Sequence, residues 1–171
     1  VKSDMSQNIR PEIALKATTR YFWRVQVQDN HGQSSQWAVS YFRSAMPDGV
    51  WPAEFISAET ENDRGNSKGT CVKGNFELKK SVKSAVIYAT ALGLYEIYLD
   101  GERIGDLHLT PGWTSYNNQL LYQAYDITDS LTVGTHTLGA MIGAGWSKGV
   151  MGFRIHRRNN FGTHTAFSAV L

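Results

Sequence analysis

Leu94-Tyr95-Glu96-Ile97-Tyr98-Leu99-Asp100-Gly101-Glu102-Arg103-Ile104-Gly105-Asp106 reads as a strand, a turn and a second strand. Tyr95 and Glu96 fall on opposite faces of the first strand, and Asp100-Gly101 is a hairpin turn signal. The pattern continues through Leu109-Thr110-Pro111-Gly112-Trp113-Thr114-Ser115-Tyr116, then Tyr125-Asp126-Ile127-Thr128, and ends at Gly143-Ala144-Gly145-Trp146-Ser147-Lys148-Gly149. Aromatic residues stand beside the turns. No acid and base are paired along this stretch. It points to a surface that holds a ligand or a neighbouring domain, not to a reaction centre.

Outward from this stretch, short strand patterns recur with turn residues between them. Cys71–Lys79, Lys83–Tyr88, Leu92–Leu99, Ile104–Leu109, Gln119–Tyr125, Thr135–Ile142 and Thr163–Leu171 each read as a strand. Ile127–Leu131 reads as one helical turn, with Thr128 as its candidate cap. Upstream, Tyr21–Asp29 carries Trp23, Val25 and Val27 on one face, Asn30-His31-Gly32 is a turn, and Trp37–Phe42 returns. Trp23 and Trp37 are expected in a core. Met46-Pro47-Asp48-Gly49, within Ser44–Gly49, is the expected linker. The expected class is all-β: a partial sandwich over residues 1–46, then a jelly-roll β-sandwich over 47–171. The chain opens at Val1 without an initiator methionine, and both ends read as cut from something larger.

Composition agrees with an ordered β protein. Of 171 residues 42% are hydrophobic and 12% aromatic, enough to build a core, while 19% are charged and the net charge is +2. The one basic cluster, Arg154, His156, Arg157 and Arg158, has no basic face to extend it. It reads as a solvated loop, and no nucleic-acid partner is expected. No apolar run approaches membrane-spanning length, so no membrane partner is expected. Cys71 is the single cysteine and cannot form an internal disulfide.

Candidate chemistry is sparse. A glycosidase needs two carboxylates at a set separation in a concave site. Asp100 and Asp106 flank a tight turn and read as turn residues bonding nearby amides. His31, His108, His136, His156 and His164 are scattered, so no metal site is expected. Gly143-Ala144-Gly145 lacks the strand–loop–helix context of a dinucleotide site, and no Gly-x-Ser-x-Gly elbow occurs. No catalytic residue and no cofactor are assigned. The aromatics carry the remaining signal. Trp113 after Pro111-Gly112, and Trp146 after Gly145, could stack on the apolar face of a sugar ring, with Asn117, Asn118 and Arg154 bonding its hydroxyls. The competing reading makes both indoles cornerstones between sheets.

These residues resemble those of a known family. Tyr21-Phe22-Trp23-Arg24-Val25, Asp29-Asn30-His31-Gly32 and Ser34-Ser35-Gln36-Trp37 resemble the end of the fibronectin type III-like domain that opens bacterial α-L-rhamnosidases. Trp51-Pro52-Ala53-Glu54-Phe55-Ile56 resembles the start of their next domain. Tyr95–Gly101, Ile104–Asp106, Pro111-Gly112-Trp113-Thr114 and Gly143–Gly149 resemble that N-terminal β-sandwich. The resemblance implies an inverting glycoside hydrolase acting on rhamnose-containing glycans. Its catalytic carboxylates would lie on a helical barrel that is not in these residues. This chain would then be an accessory or scaffold region with that catalytic domain as its intramolecular partner. In some relatives the sandwich is a calcium-dependent rhamnose-binding module, using an acidic residue and an asparagine near the strand before the Tyr-Glu motif. The corresponding Thr90-Ala91-Leu92-Gly93 offers no carboxylate here.

Overall fold

The computed structural model describes residues 1–5, 7–47, 51–58, 68–152 and 157–171. The chain divides into two compact units, Val1–Trp51 and Pro52–Leu171. Asp48 and Gly49 of the expected linker lie outside the described residues.

In the first unit, β1 (Arg20–Val25) pairs antiparallel with β2 (Ala38–Arg43), Arg20 opposite Arg43 and Val25 opposite Ala38. The expected turn is present. Gly32 takes φ +80°, and Asp29 Oδ1 accepts the N–H groups of His31 and Gln33 at 2.9 and 2.8 Å. One face of the ribbon stacks Tyr21 on Phe42. The other face places Phe22 beside Tyr41, Arg20 over the Tyr41 ring and Arg24 4.4 Å over Trp37. The expectation that Trp23 and Trp37 are core residues fails: they are 46% and 50% exposed. Two strands make a single layer, and a large side chain is buried only when a second layer covers it. Among the described residues Trp37 has a guanidinium over its ring instead, a contact that leaves it half open.

The second unit is a β-sandwich. One antiparallel sheet runs β3 (Thr70–Leu78), β8 (Gly134–Gly143), β5 (Leu94–Leu99), β6 (Glu102–Arg103). The other runs β7 (Gln123–Asp126), β4 (Val86–Leu92), β9 (Ala166–Val170). Alternation assigns the inner faces. Ile87, Ala89 and Ala91 point in from β4, Tyr95, Ile97 and Leu99 from β5, Ala140 and Ile142 from β8, and Phe167 from β9. Ile87, Ile97, Ile127 and Ile142 are fully buried, each worth about 2 kcal/mol of apolar burial. The β5–β6 turn puts both Asp100 and Gly101 at positive φ, +52° and +91°, as a two-residue hairpin that follows the strand twist requires.

Three local expectations are corrected. Ile104–Leu109 is not a strand. Gly105 turns the chain at φ +73°, and the Arg103 guanidinium donates to the carbonyls of Gly105 and Leu107, at 3.2 and 2.6 Å. Strand β7 starts only at Gln123, because the Leu121 carbonyl accepts the Thr90 hydroxyl at 2.6 Å, which draws that loop over the outer face of β4. The helical turn exists as a 3-10 turn, Thr128–Ser130, but Thr128 does not cap it. Its hydroxyl accepts from Ala85 N–H and donates to Asp126 Oδ1, tying the turn to the chain entering β4.

Candidate functional site

The site grows from β5. Tyr95 N–H donates to Thr110 O at 2.9 Å, and the Thr110 hydroxyl donates back to Tyr95 O at 2.6 Å. The Thr110-Pro111 bond is cis; Leu109 and Gly112 on either side have φ +56° and +102°, so the loop turns tightly on both sides of this bridge. Gln123 holds that loop from β7. Its amide nitrogen donates to Pro111 O at 3.1 Å, while its Oε1 accepts the Tyr95 hydroxyl at 2.7 Å. Tyr95 Oη also lies 3.0 Å from Ala89 O and 3.1 Å from Tyr125 Oη. Burial, followed by the Tyr125 hydroxyl, pushes the Tyr95 phenol far above its ordinary range, so it stays neutral and structural.

This loop presents Trp113. Its indole is 60% exposed and lies on Trp146, ring centres 6.2 Å apart and planes 9° from parallel. Trp146 stands on the short helical turn α1 (Gly145–Lys148). Gly145 is required there: at φ +49°, a Cβ would fall 2.6 Å from Leu94 Cγ and 3.1 Å from Leu94 N. The segment after α1 closes back on the loop. Phe161 N–H donates to Ser147 O at 3.2 Å, and the Phe161 ring packs 5.1 Å from Tyr116, whose hydroxyl donates to Gly112 O. Burial raises the Tyr116 phenol as well.

The structure thus brings Trp113 and Trp146 together: Trp113 is exposed, not a buried cornerstone, and Trp146 is half-buried against it. Asn117 and Asn118 lie exposed in the turn that follows Trp113. That turn is closed by Asn118 and Gln119 N–H on Ser115 O, and Asn118 Nδ2 donates to Ser115 Oγ at 3.1 Å. Arg154 and His156 lie outside the described residues, while Arg157 and Arg158 are exposed. The same loop sends Leu109 into a shallow groove of about 280 Å³, shared with Leu94, Glu96 and Met141. Glu96 there accepts the Tyr98 hydroxyl at 2.8 Å and pairs with Arg103 at 3.6 Å.

Sequence reasoning missed Tyr116, Phe161, Thr110 and Gln123. The aromatics clustered around Pro111-Gly112 were a signal for Tyr116. Nothing local announces a partner far along the chain. Thr90 and Ala91 are buried in β4 and cannot meet a ligand from outside. Among the described residues no three His, Cys, Asp or Glu side chains converge, and no helix is long and apolar enough to cross a membrane.

Residues 80–171 match the family model "Alpha-L-rhamnosidase N-terminal domain", and residues 1–48 match "Rha78A-like, N-terminal immunoglobulin domain". The chain is 32% identical over 154 residues to an α-L-rhamnosidase of Formosa agariphila, covering 77% of this chain and 16% of that protein. It is similar to the crystal structure of the α-L-rhamnosidase from Aspergillus terreus, with TM-score 0.82 and 28% identity over 93% of this chain and 19% of that one. It is also similar to the Streptomyces avermitilis α-L-rhamnosidase complexed with L-rhamnose, with TM-score 0.56 and 38% identity over 60% of this chain and 10% of that one.

Proposed function

The chain belongs to the α-L-rhamnosidase N-terminal domain family, and from that premise we propose that it is a non-catalytic accessory region of a larger α-L-rhamnosidase. The parent protein would hydrolyse terminal α-L-rhamnosyl residues of glycans. This region would pack on its catalytic domain and help shape the cleft. One observation carries the reading: nearly the whole chain superposes on about a fifth of the Aspergillus terreus enzyme. We place the boundary between a fibronectin III-like first domain, residues 1–46, and the sandwich, residues 47–171. The division of the chain into compact units close to that point supports it. Hydrolysis of an aryl α-L-rhamnoside by the parent and by the 171-residue chain alone tests the accessory role.

A second reading rests on one feature. Trp113 turns an open indole face to solvent while Trp146 backs its other face. A rigid apolar plate of this kind suits the apolar face of a sugar ring. In this reading the sandwich binds rhamnose or a related sugar on Trp113 and Trp146, with Asn117, Asn118 and Arg154 as polar partners. Calorimetric titration with L-rhamnose tests it.

A further inference from the structure

The imidazole of His136 points inward from β8 and is only 5% exposed. Its Nδ1 lies 2.6 Å from Asp100 Oδ2 and its Nε2 lies 2.8 Å from Thr132 O. A backbone carbonyl only accepts, and so does an ionised carboxylate. A neutral imidazole has a single N–H and would leave one bare nitrogen facing an oxygen at hydrogen-bond distance. Only the doubly protonated ring donates to both. Asp100 accepts here as an ionised carboxylate: its other oxygen takes the Thr137 N–H at 2.7 Å, and that bond, with the one from His136, holds its carboxyl below the ordinary carboxylate range. Asp100 N–H in turn donates to Thr137 O at 2.8 Å. We propose that His136 stands in the folded protein as an imidazolium that clasps the β5–β6 turn to the start of β8, and that losing a ring proton at alkaline pH loosens the clasp by one of its two bonds.

The surroundings fit a held cation. Phe76 of β3 stacks on the ring with centres 5.5 Å apart, which favours a positive charge beneath it. Glu77, next to Phe76, pairs with Thr135 and alternates to the opposite face of the sheet. Thr132 contributes a carbonyl, and Asp100 is the charged group that acts on the ring among the described residues. The bond to Thr132 and then the bond to Asp100 raise the proton affinity of His136 above its ordinary value, outweighing the opposing effect of burial. The bonds from Thr137 and His136 lower that of Asp100. The signs define a window. His136 contributes stability fully below its unfolded value, about 6.5, and loses it as pH rises through its higher folded value. Asp100 contributes above its ordinary carboxylate value and loses it as pH falls through its lowered one. The clasp holds between these limits.

The test is an NMR titration of the five histidine rings in the full 171-residue chain, with His136 identified by its absence in His136→Gln. The expected result is a ring that keeps both N–H groups after the exposed histidines have become neutral, and whose midpoint falls in Asp100→Asn. If His136→Gln does not fold, sequential assignment identifies the ring in the wild type. A His136 that loses its proton with or before the exposed rings overturns the assignment, as does a midpoint unmoved by Asp100→Asn. Thermal unfolding over the same range reads the loosening. The wild type should lose Tm on the alkaline side more steeply than His136→Gln, and parallel curves would overturn that half of the proposal.

Discussion

Tyr95 and Thr110 hold each other twice, backbone N–H to carbonyl in one direction and hydroxyl to carbonyl in the other. Both are buried, and the pair fixes where the loop meets β5 and therefore where Trp113 stands. Removing the hydroxyl strands the Tyr95 carbonyl in the interior. Thr110→Val keeps the shape of the side chain, so the loss isolates the hydrogen bond. Denaturant unfolding should show a destabilisation of about 1–3 kcal/mol. An unchanged midpoint would mean that the loop is held by other contacts.

Gly145 allows the chain to pass against Leu94, and this approach sets the position of Trp146. Gly145→Ala forces a methyl group into Leu94 at a positive φ. The expected cost is about 1–3 kcal/mol, with loss of the contribution that the stacked indoles make to the near-ultraviolet circular dichroism. Trp146→Phe should lose the same signal without that strain. If Gly145→Ala keeps both the signal and the stability, the close approach does not position the pair.

The sugar-platform reading makes its own prediction. Trp113→Ala should weaken L-rhamnose binding by about 1–3 kcal/mol, the scale of burying a large apolar side chain, or roughly 5- to 150-fold in affinity. Binding should survive a chelator, since Thr90-Ala91-Leu92-Gly93 supplies no carboxylate. Titration of both proteins, with and without chelator, decides it. Equal affinities would remove Trp113 from the site, and a folded wild type that binds nothing would leave the accessory role alone.

Much of the sandwich was legible because alternation is a local signal. Leu94–Leu99 and Thr70–Leu78 show their inner faces in sequence, and Asp100-Gly101 marks its own turn. The misreadings occur where a distant group competes with the strand pattern. Arg103 takes the carbonyls of Gly105 and Leu107, and Thr90 takes that of Leu121, so two expected strand segments run as loop. Trp23 and Trp37 have the spacing of core residues, but burial depends on a covering layer that their own strands do not reveal. In the candidate site, Trp113 and Trp146 each stood out beside a glycine. Their stacking on each other, and the charge pairing of His136 with Asp100, arise from sheet register and loop closure that no short motif encodes.

The accessory role is tested most directly by expressing the parent protein and the 171-residue chain side by side and incubating each with an aryl α-L-rhamnoside. The account predicts release of the aryl group by the parent and none by the chain alone. Release by the chain alone, abolished by replacing one of its own carboxylates, would contradict it, as would a folded parent that leaves the rhamnoside intact.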